Sequence, residues 1–164
     1  MALDPRIICN YIIAASLRNE RPVTNLALQK LLYLTHAHYV MRYDKPLVTG
    51  YFEAWQFGPV MPAIYKELKP FGRRPINRLF EDIDLFSGEV RPLPPVDDAA
   101  TLDLLRDVLY HYEKFSAGQL VDVTHASHGP WDHVWHKSRT DPFADRRISD
   151  TITRSRFGNL KRSV

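Results

Sequence analysis

Seven histidines are the first residues whose types suggest chemistry, because six of them fall in close pairs: His36 and His38, His125 and His128, His133 and His136. Paired imidazoles are the raw material of a zinc site. On a helix, however, side chains two residues apart point about 200° from each other, so His36 and His38 cannot chelate one ion from a single turn. The other pairs are three apart and can share a face, but no His-Glu-x-x-His order occurs and a third ligand would have to come from tertiary contact. Histidines satisfied in the core or at the surface are the simpler reading, and neither metal nor cofactor is expected. Glu53 remains as a candidate acid or base. A small metal- or Glu-dependent hydrolase predicts an open pocket on which His36, His125 and Glu53 converge. The single cysteine, Cys9, lies among Ile7, Ile8 and Ile12 and reads as a small buried hydrophobe rather than a nucleophile. No Gly-x-Ser-x-Gly element or phosphate-cradling glycine loop accompanies these residues.

The elements that must position them follow from periodicity. Leu28, Leu32, Thr35 and Tyr39 form one helical stripe, while Leu31, Leu34, Val40 and Met41 fill other faces, so the segment from Thr24 or Asn25 to Tyr43 is a core helix. Gln29, Lys30, His36 and His38 are its polar exceptions, and buried polar groups must find partners or line a pocket. Ahead of it, Asp4 caps and Pro5 starts a helix that runs to about Asn19. Tyr51 to Phe57 reads as a short strand stopped by Gly58-Pro59, with Tyr51, Glu53, Trp55 and Phe57 on one side. A third helix is expected from about Val60 to Lys69. In the proline-rich stretch beyond it, Arg74–Arg78 and Glu89–Leu93 are expected to pair as a small sheet edge. Asp97 or Asp98 caps a fourth helix with Leu102, Leu105, Leu109 and Tyr112 on one face. Ser116 to Gln119 has the form of a capping box for a fifth. Gly129-Pro130 opens a sixth bearing Trp131, Val134 and Trp135, and Ser149 caps a short last one. The fold class is mainly α (α+β): a compact helical domain around a central buried helix, with a small β-hairpin or short antiparallel sheet.

Composition agrees with one soluble globular domain: 164 residues, 45% hydrophobic and 25% charged. We expect it to span residues 1–157, followed by a basic tail over 158–164. No apolar run approaches the roughly 20 residues of a membrane span, and Asp4-Pro5-Arg6 does not resemble a secretion signal, so a cytoplasmic protein is expected. The net charge of +3 is unevenly spread: residues 139–164 hold seven basic against three acidic side chains, leaving the body slightly negative. Such asymmetry suits docking onto an acidic protein surface or a nucleic acid. Arg73, Arg74 and Arg78, with Arg154 and Arg156 of the basic end, are the candidate partner-binding cations. No helix-turn-helix or aromatic-basic motif supports a nucleic-acid binder.

Four blocks in order then carry a resemblance: Leu28-Gln29-Lys30-Leu31-Leu32-Tyr33; Pro46-Leu47; Glu53-Ala54-Trp55-x-Phe57-Gly58-Pro59-Val60-x-Pro62-x-Ile64-Tyr65; and Leu120-x-x-x-Thr124-His125-x-x-x-Gly129-Pro130-Trp131. Over about residues 5–157 the chain resembles the SocA-like, or Panacea, antitoxin domain, a family also met among prophage and other genetic-element proteins. The resemblance implies an antitoxin rather than an enzyme. It implies a cognate toxin as partner and, as in the founding SocA-type protein, a proteolytic adaptor that delivers the toxin to the ClpXP protease, ClpX being the second partner. Other members look like neutralisers that act by direct binding. Many carry an extra DNA-binding or accessory domain, for which this chain has no room. The motif residues Gln29, Lys30, Tyr33, Glu53, Trp55, Tyr65, His125 and Trp131 are expected to converge on one semi-buried cluster, with the Gly58-Pro59 turn setting where the third helix leaves the strand. Partner specificity is then expected in the less patterned Arg73 to Val96 excursion and the basic tail.

Overall fold

The computed structural model describes residues 1–160. Its centre is α2 (Asn25–Tyr43), capped by Thr24, whose side chain accepts a hydrogen bond from the Ala27 N–H. Fourteen of its 19 residues are buried, so the other elements must pack around it rather than beside it. α1 (Pro5–Arg18) starts at the Asp4 cap. α4 (Ala99–Tyr112) begins at Asp98. α5 (Ala117–Thr124) carries the full reciprocal capping box of Ser116 and Gln119. α6 (Pro130–Thr140) and α7 (Asp150–Arg156, capped by Ser149) complete the shell, together with α3 (Pro62–Leu68). The architecture is mainly α with small antiparallel sheets.

The expected strand at Tyr51–Phe57 is instead half of a hairpin. β1 (Phe52–Trp55) pairs with β2 (Gly58–Val60), in the register Glu53 with Val60, Ala54 with Pro59 and Trp55 with Gly58. Gly58-Pro59 therefore begins a strand rather than ending one. Pro59 is tolerated because the sheet order is β2-β1-β5, which puts β2 on an edge where a missing N–H breaks no ladder. β5 (Arg147–Ile148) was not anticipated; it closes the other side of β1, pairing Phe52 with Ile148. α3 is correspondingly shorter than expected, beginning at Pro62 and running into a 3₁₀ turn at Lys69–Phe71.

The expected pairing of Arg74–Arg78 with Glu89–Leu93 is corrected: β3 (Glu81–Ile83) is the strand that meets β4 (Val90–Pro92). The earlier segment is held in another way. Ile76 is wholly buried and its N–H donates to Val23 O at 2.8 Å, so this stretch is an anchor against the α1–α2 loop. On α4 the buried stripe includes Leu104 and Val108 besides Leu105, Leu109 and Tyr112, with Leu102 at its margin. Leu160 is buried against the core, while Lys161 and Arg162 of the expected tail lie outside the described residues.

Candidate functional site

The polar residues of α2 meet the β1–β2 hairpin on one side of the helix. Gln29 Nε2 donates to Asn25 Oδ1 at 3.1 Å, and its Oε1 accepts from the Met61 N–H at 2.9 Å. That second bond satisfies a backbone donor where the chain leaves β2 for α3, a buried group that would otherwise have no ladder partner. One residue on, Lys30 is wholly buried and its Nζ donates to Pro59 O at 3.0 Å. The two adjacent side chains thus hold one hairpin arm by its backbone.

Gly58 is the closest approach between these elements. Its φ of +106° lies in the region that glycine alone adopts readily, and a Cβ there would sit 2.6 Å from Lys30 Cε and 2.8 Å from Thr124 Oγ1. Thr124 ends α5, and the next residue, His125, stacks on Trp131 of α6 with ring centroids 3.7 Å apart and planes 5° from parallel. Trp131 Nε1 in turn donates to Trp55 O at 2.7 Å, and Trp55 Nε1 donates to Glu53 Oε2 at 2.7 Å. The Trp55 ring meets Tyr65 edge-on at 5.0 Å. Gln29, Lys30, Glu53, Trp55, Gly58, Pro59, Tyr65, His125 and Trp131 therefore form one connected cluster, built from α2, the hairpin, α3 and the α5–α6 corner.

Tyr33 does not join it. Its hydroxyl pairs with Thr153 Oγ1 of α7 at 3.1 Å and its ring meets Phe52 edge-on, on the other side of β1 from the tryptophans. A second polar tie lies nearby: His36 Nε2 donates to Asp150 Oδ1 at 2.8 Å, leaving its Nδ1 buried without a hydrogen-bond partner among the described residues. Sequence reasoning missed the Asp150 pairing; the only local signal is that Asp150 follows the cap Ser149, which fixes its position at the start of α7.

Burial governs the electrostatics. Taking the Lys30 ammonium out of water pushes its pKa down to about 7. His125 is lowered by its own desolvation and by the neighbouring Lys30 charge, against the pull of Asp122 and Asp132, and its Nε2 is buried with no hydrogen-bond partner among the described residues. Burial raises the Tyr33 phenol and the Cys9 thiol above their ordinary values. At Asp150 the His36 hydrogen bond outweighs desolvation and lowers the carboxyl.

This arrangement is a polar knot, buried at Gln29 and Lys30 and half-buried at Glu53, Trp55, Tyr65 and His125. Two cavities of about 680 and 690 Å³ lie elsewhere: one between the α1–α2 loop and the α4–α5 corner, the other beside β5, floored by His36 and Asp150. Neither is lined by Lys30, Glu53 or His125, so the convergence that the hydrolase alternative requires of His36, His125 and Glu53 does not occur there. Among the described residues no three His, Cys, Asp or Glu side chains are grouped as metal ligands.

Four of the five candidate basic residues are engaged within the chain. Arg74 folds back onto Pro70 O and Phe71 O, at 2.9 and 3.2 Å, and the Arg78 guanidinium lies over the Phe71 ring. Arg154 is paired with Asp44, and Arg156 donates to His128 O at 3.2 Å. Arg73 is exposed next to Arg74.

The chain is 37% identical to Antitoxin SocA of Caulobacter vibrioides (strain NA1000 / CB15N) over 164 residues, covering 99% of this chain and 87% of that protein. No solved structure matches. The model of the family described as Antitoxin SocA-like, Panacea domain, matches residues 28–132, a span that runs from the first motif residue of α2 to the Trp131 that closes the cluster. With the cluster and the match covering the same residues, the chain belongs to the SocA-like, Panacea-domain antitoxin family.

Proposed function

We propose that this chain is the antitoxin of a toxin–antitoxin pair, that it binds and neutralises a cognate toxin protein, and that it does so as an adaptor handing the toxin to a ClpXP-type protease. The observation that carries this reading is the 37% identity to an antitoxin along nearly the whole chain. In this reading the cluster around Lys30 and Trp131 organises the scaffold, because the Lys30 amine, the Gln29 amide and both indoles are spent on partners within the chain. Toxin contact belongs to the exposed excursion between α3 and α4, where side chains are free to match a partner. Among the described residues no helix is long and apolar enough to cross a membrane. The site of action in this proposal is the cytoplasm, where a ClpXP-type protease would meet the complex.

Co-expression tests it. The chain is expected to restore growth to cells expressing the protein encoded by the adjacent reading frame, to copurify with it, and to shorten its half-life only where ClpXP is active. Rescue with an unchanged half-life would replace delivery by direct inhibition. Failure of both rescue and copurification would overturn the antitoxin reading.

A further inference from the structure

Between α3 and α4 the chain sends out a two-stranded ribbon whose every strand residue is exposed. An isolated ribbon of this size is marginal in water, so its shape must be enforced from outside the ladder. At the base, Asn10 of α1 brackets Phe80, donating to its carbonyl at 2.9 Å and accepting from its N–H at 2.7 Å, and the Phe80 side chain is buried. Arg6 reaches across to Glu81 O and to Asp82. At the tip, Asp84 Oδ1 accepts from the N–H groups of Phe86 and Ser87, at 2.8 and 2.9 Å. Gly88 N–H returns to Asp84 O, with Gly88 at a φ of +72°. The ribbon is thus a built projection rather than a slack loop.

What it displays runs against its exposure. Leu85 is 93% exposed and Phe86 fully so, and behind them the cross-strand pair Ile83 and Val90 is more than half exposed. Beside the ribbon, a notch of about 170 Å³ is floored by Leu68, Phe71 and Phe80 and continues the same apolar surface towards α3. Within the ribbon stand Glu81, Asp82, Asp84 and Glu89 against Arg91, which pairs with Glu89, so the ribbon is net −3 in a chain of net +3; Arg6 at its base and Arg78 at the notch are the cations beside it. Large apolar side chains in the centre and a net negative charge at the margin are the makings of an anchor and a steering rim.

We propose that the β3–β4 ribbon is the toxin-binding arm, its Leu85 and Phe86 side chains entering an apolar socket on the toxin that is rimmed by lysine or arginine. This rests on the antitoxin reading and specifies the face and the chemistry of the partner. The net negative charge of the ribbon selects a basic-rimmed protein surface over a nucleic acid, whose phosphates it would repel, and over the acidic surfaces that the chain's basic end would suit.

The test uses the full chain with Leu85→Ser and Phe86→Ser together. Both side chains are in solvent, so helical content and urea midpoint are expected to match the wild type. Capture of the protein encoded by the adjacent reading frame is expected to weaken by about a hundredfold, and growth rescue to fail. Separately, Glu81→Gln with Glu89→Gln is expected to slow association about tenfold at low salt and to flatten its salt dependence. If wild type and the serine variant capture and rescue equally, the arm is wrong and the antitoxin reading stands. If the wild type neither captures nor rescues, both fall. A wild-type chain that dimerises and becomes monomeric in the serine variant would assign the arm to self-association and overturn the proposal.

Discussion

The knot around Lys30 and the ribbon ending in Phe86 invert the ordinary placement of residues in opposite ways. In the knot, a lysine and a glutamine lie in the interior; in the ribbon, a leucine and a phenylalanine stand in water. The first inversion is resolved inside the chain: the Lys30 amine meets Pro59 O, the Gln29 amide meets Met61 N–H, and two indoles find acceptors. The second is not resolved by any group of the described chain that covers the tip. A buried polar group satisfied by its neighbours specifies one packing, whereas an exposed apolar group held on a rigid support leaves free energy to be gained by a partner. The contrast separates what makes the fold unique from what makes the molecule recognise something.

Substitutions test that separation, and the largest effect belongs to the knot. Gly58→Ala forces an unfavourable positive φ and drives its methyl into Lys30 Cε, which cannot swing away because its amine is tied and the side chain is wholly buried. A loss of about 3 kcal/mol is expected by urea unfolding, with rescue falling only as far as the folded population does. A stable G58A chain that failed to neutralise would blur the division.

Lys30 supplies a pH signature next. Its folded pKa is near 7 against an ordinary 10.5, so between these values the unfolded chain binds the extra proton and stability rises with pH. Below pH 7 the cost of burying the charge is present in full. Wild-type unfolding free energy is expected to climb relative to Lys30→Met by up to about 1.4 kcal/mol per pH unit over pH 7 to 10. Parallel profiles would show that the amine titrates normally. If K30M kept its fold and lost rescue, recognition would return to the central helix.

Tyr33→Phe removes one hydroxyl and leaves that of Thr153 unpartnered in a buried site. About 1 kcal/mol is expected, as a lower unfolding midpoint with unchanged toxin capture. The smallest stability change belongs to the ribbon: Leu85→Ser with Phe86→Ser is expected to stay within about 0.5 kcal/mol of wild type. That variant is nevertheless expected to be the one that loses its partner, which is the sharpest form of the contrast.

Much of this molecule was legible before its structure. The central helix and those of the shell announced themselves through caps at or next to Asp4, Thr24, Asp98, Ser116 and Ser149, because a cap is a local bond between a side chain and a backbone two or three residues on. The expected convergence of motif residues was legible only through resemblance, and Tyr33 departs from it: three residues past Lys30 on α2, it turns to α7 instead. The ribbon was misplaced because Arg74–Arg78 has extended-chain residues whose N–H groups have other destinations, above all Ile76 on Val23. Pro59 misled in the same way, since whether a proline ends a strand or lies on its edge depends on how many neighbours the strand has.

The sequence by itself determined where helices begin, which one is central and that its polar residues needed partners, all consequences of short-range bonding and periodicity. Only the tertiary structure decided which partners those residues found, that Gly58 is where three elements touch, and that Leu85 and Phe86 remain in solvent. Burial is a property of what lies opposite a residue, and elements distant along the chain supply that.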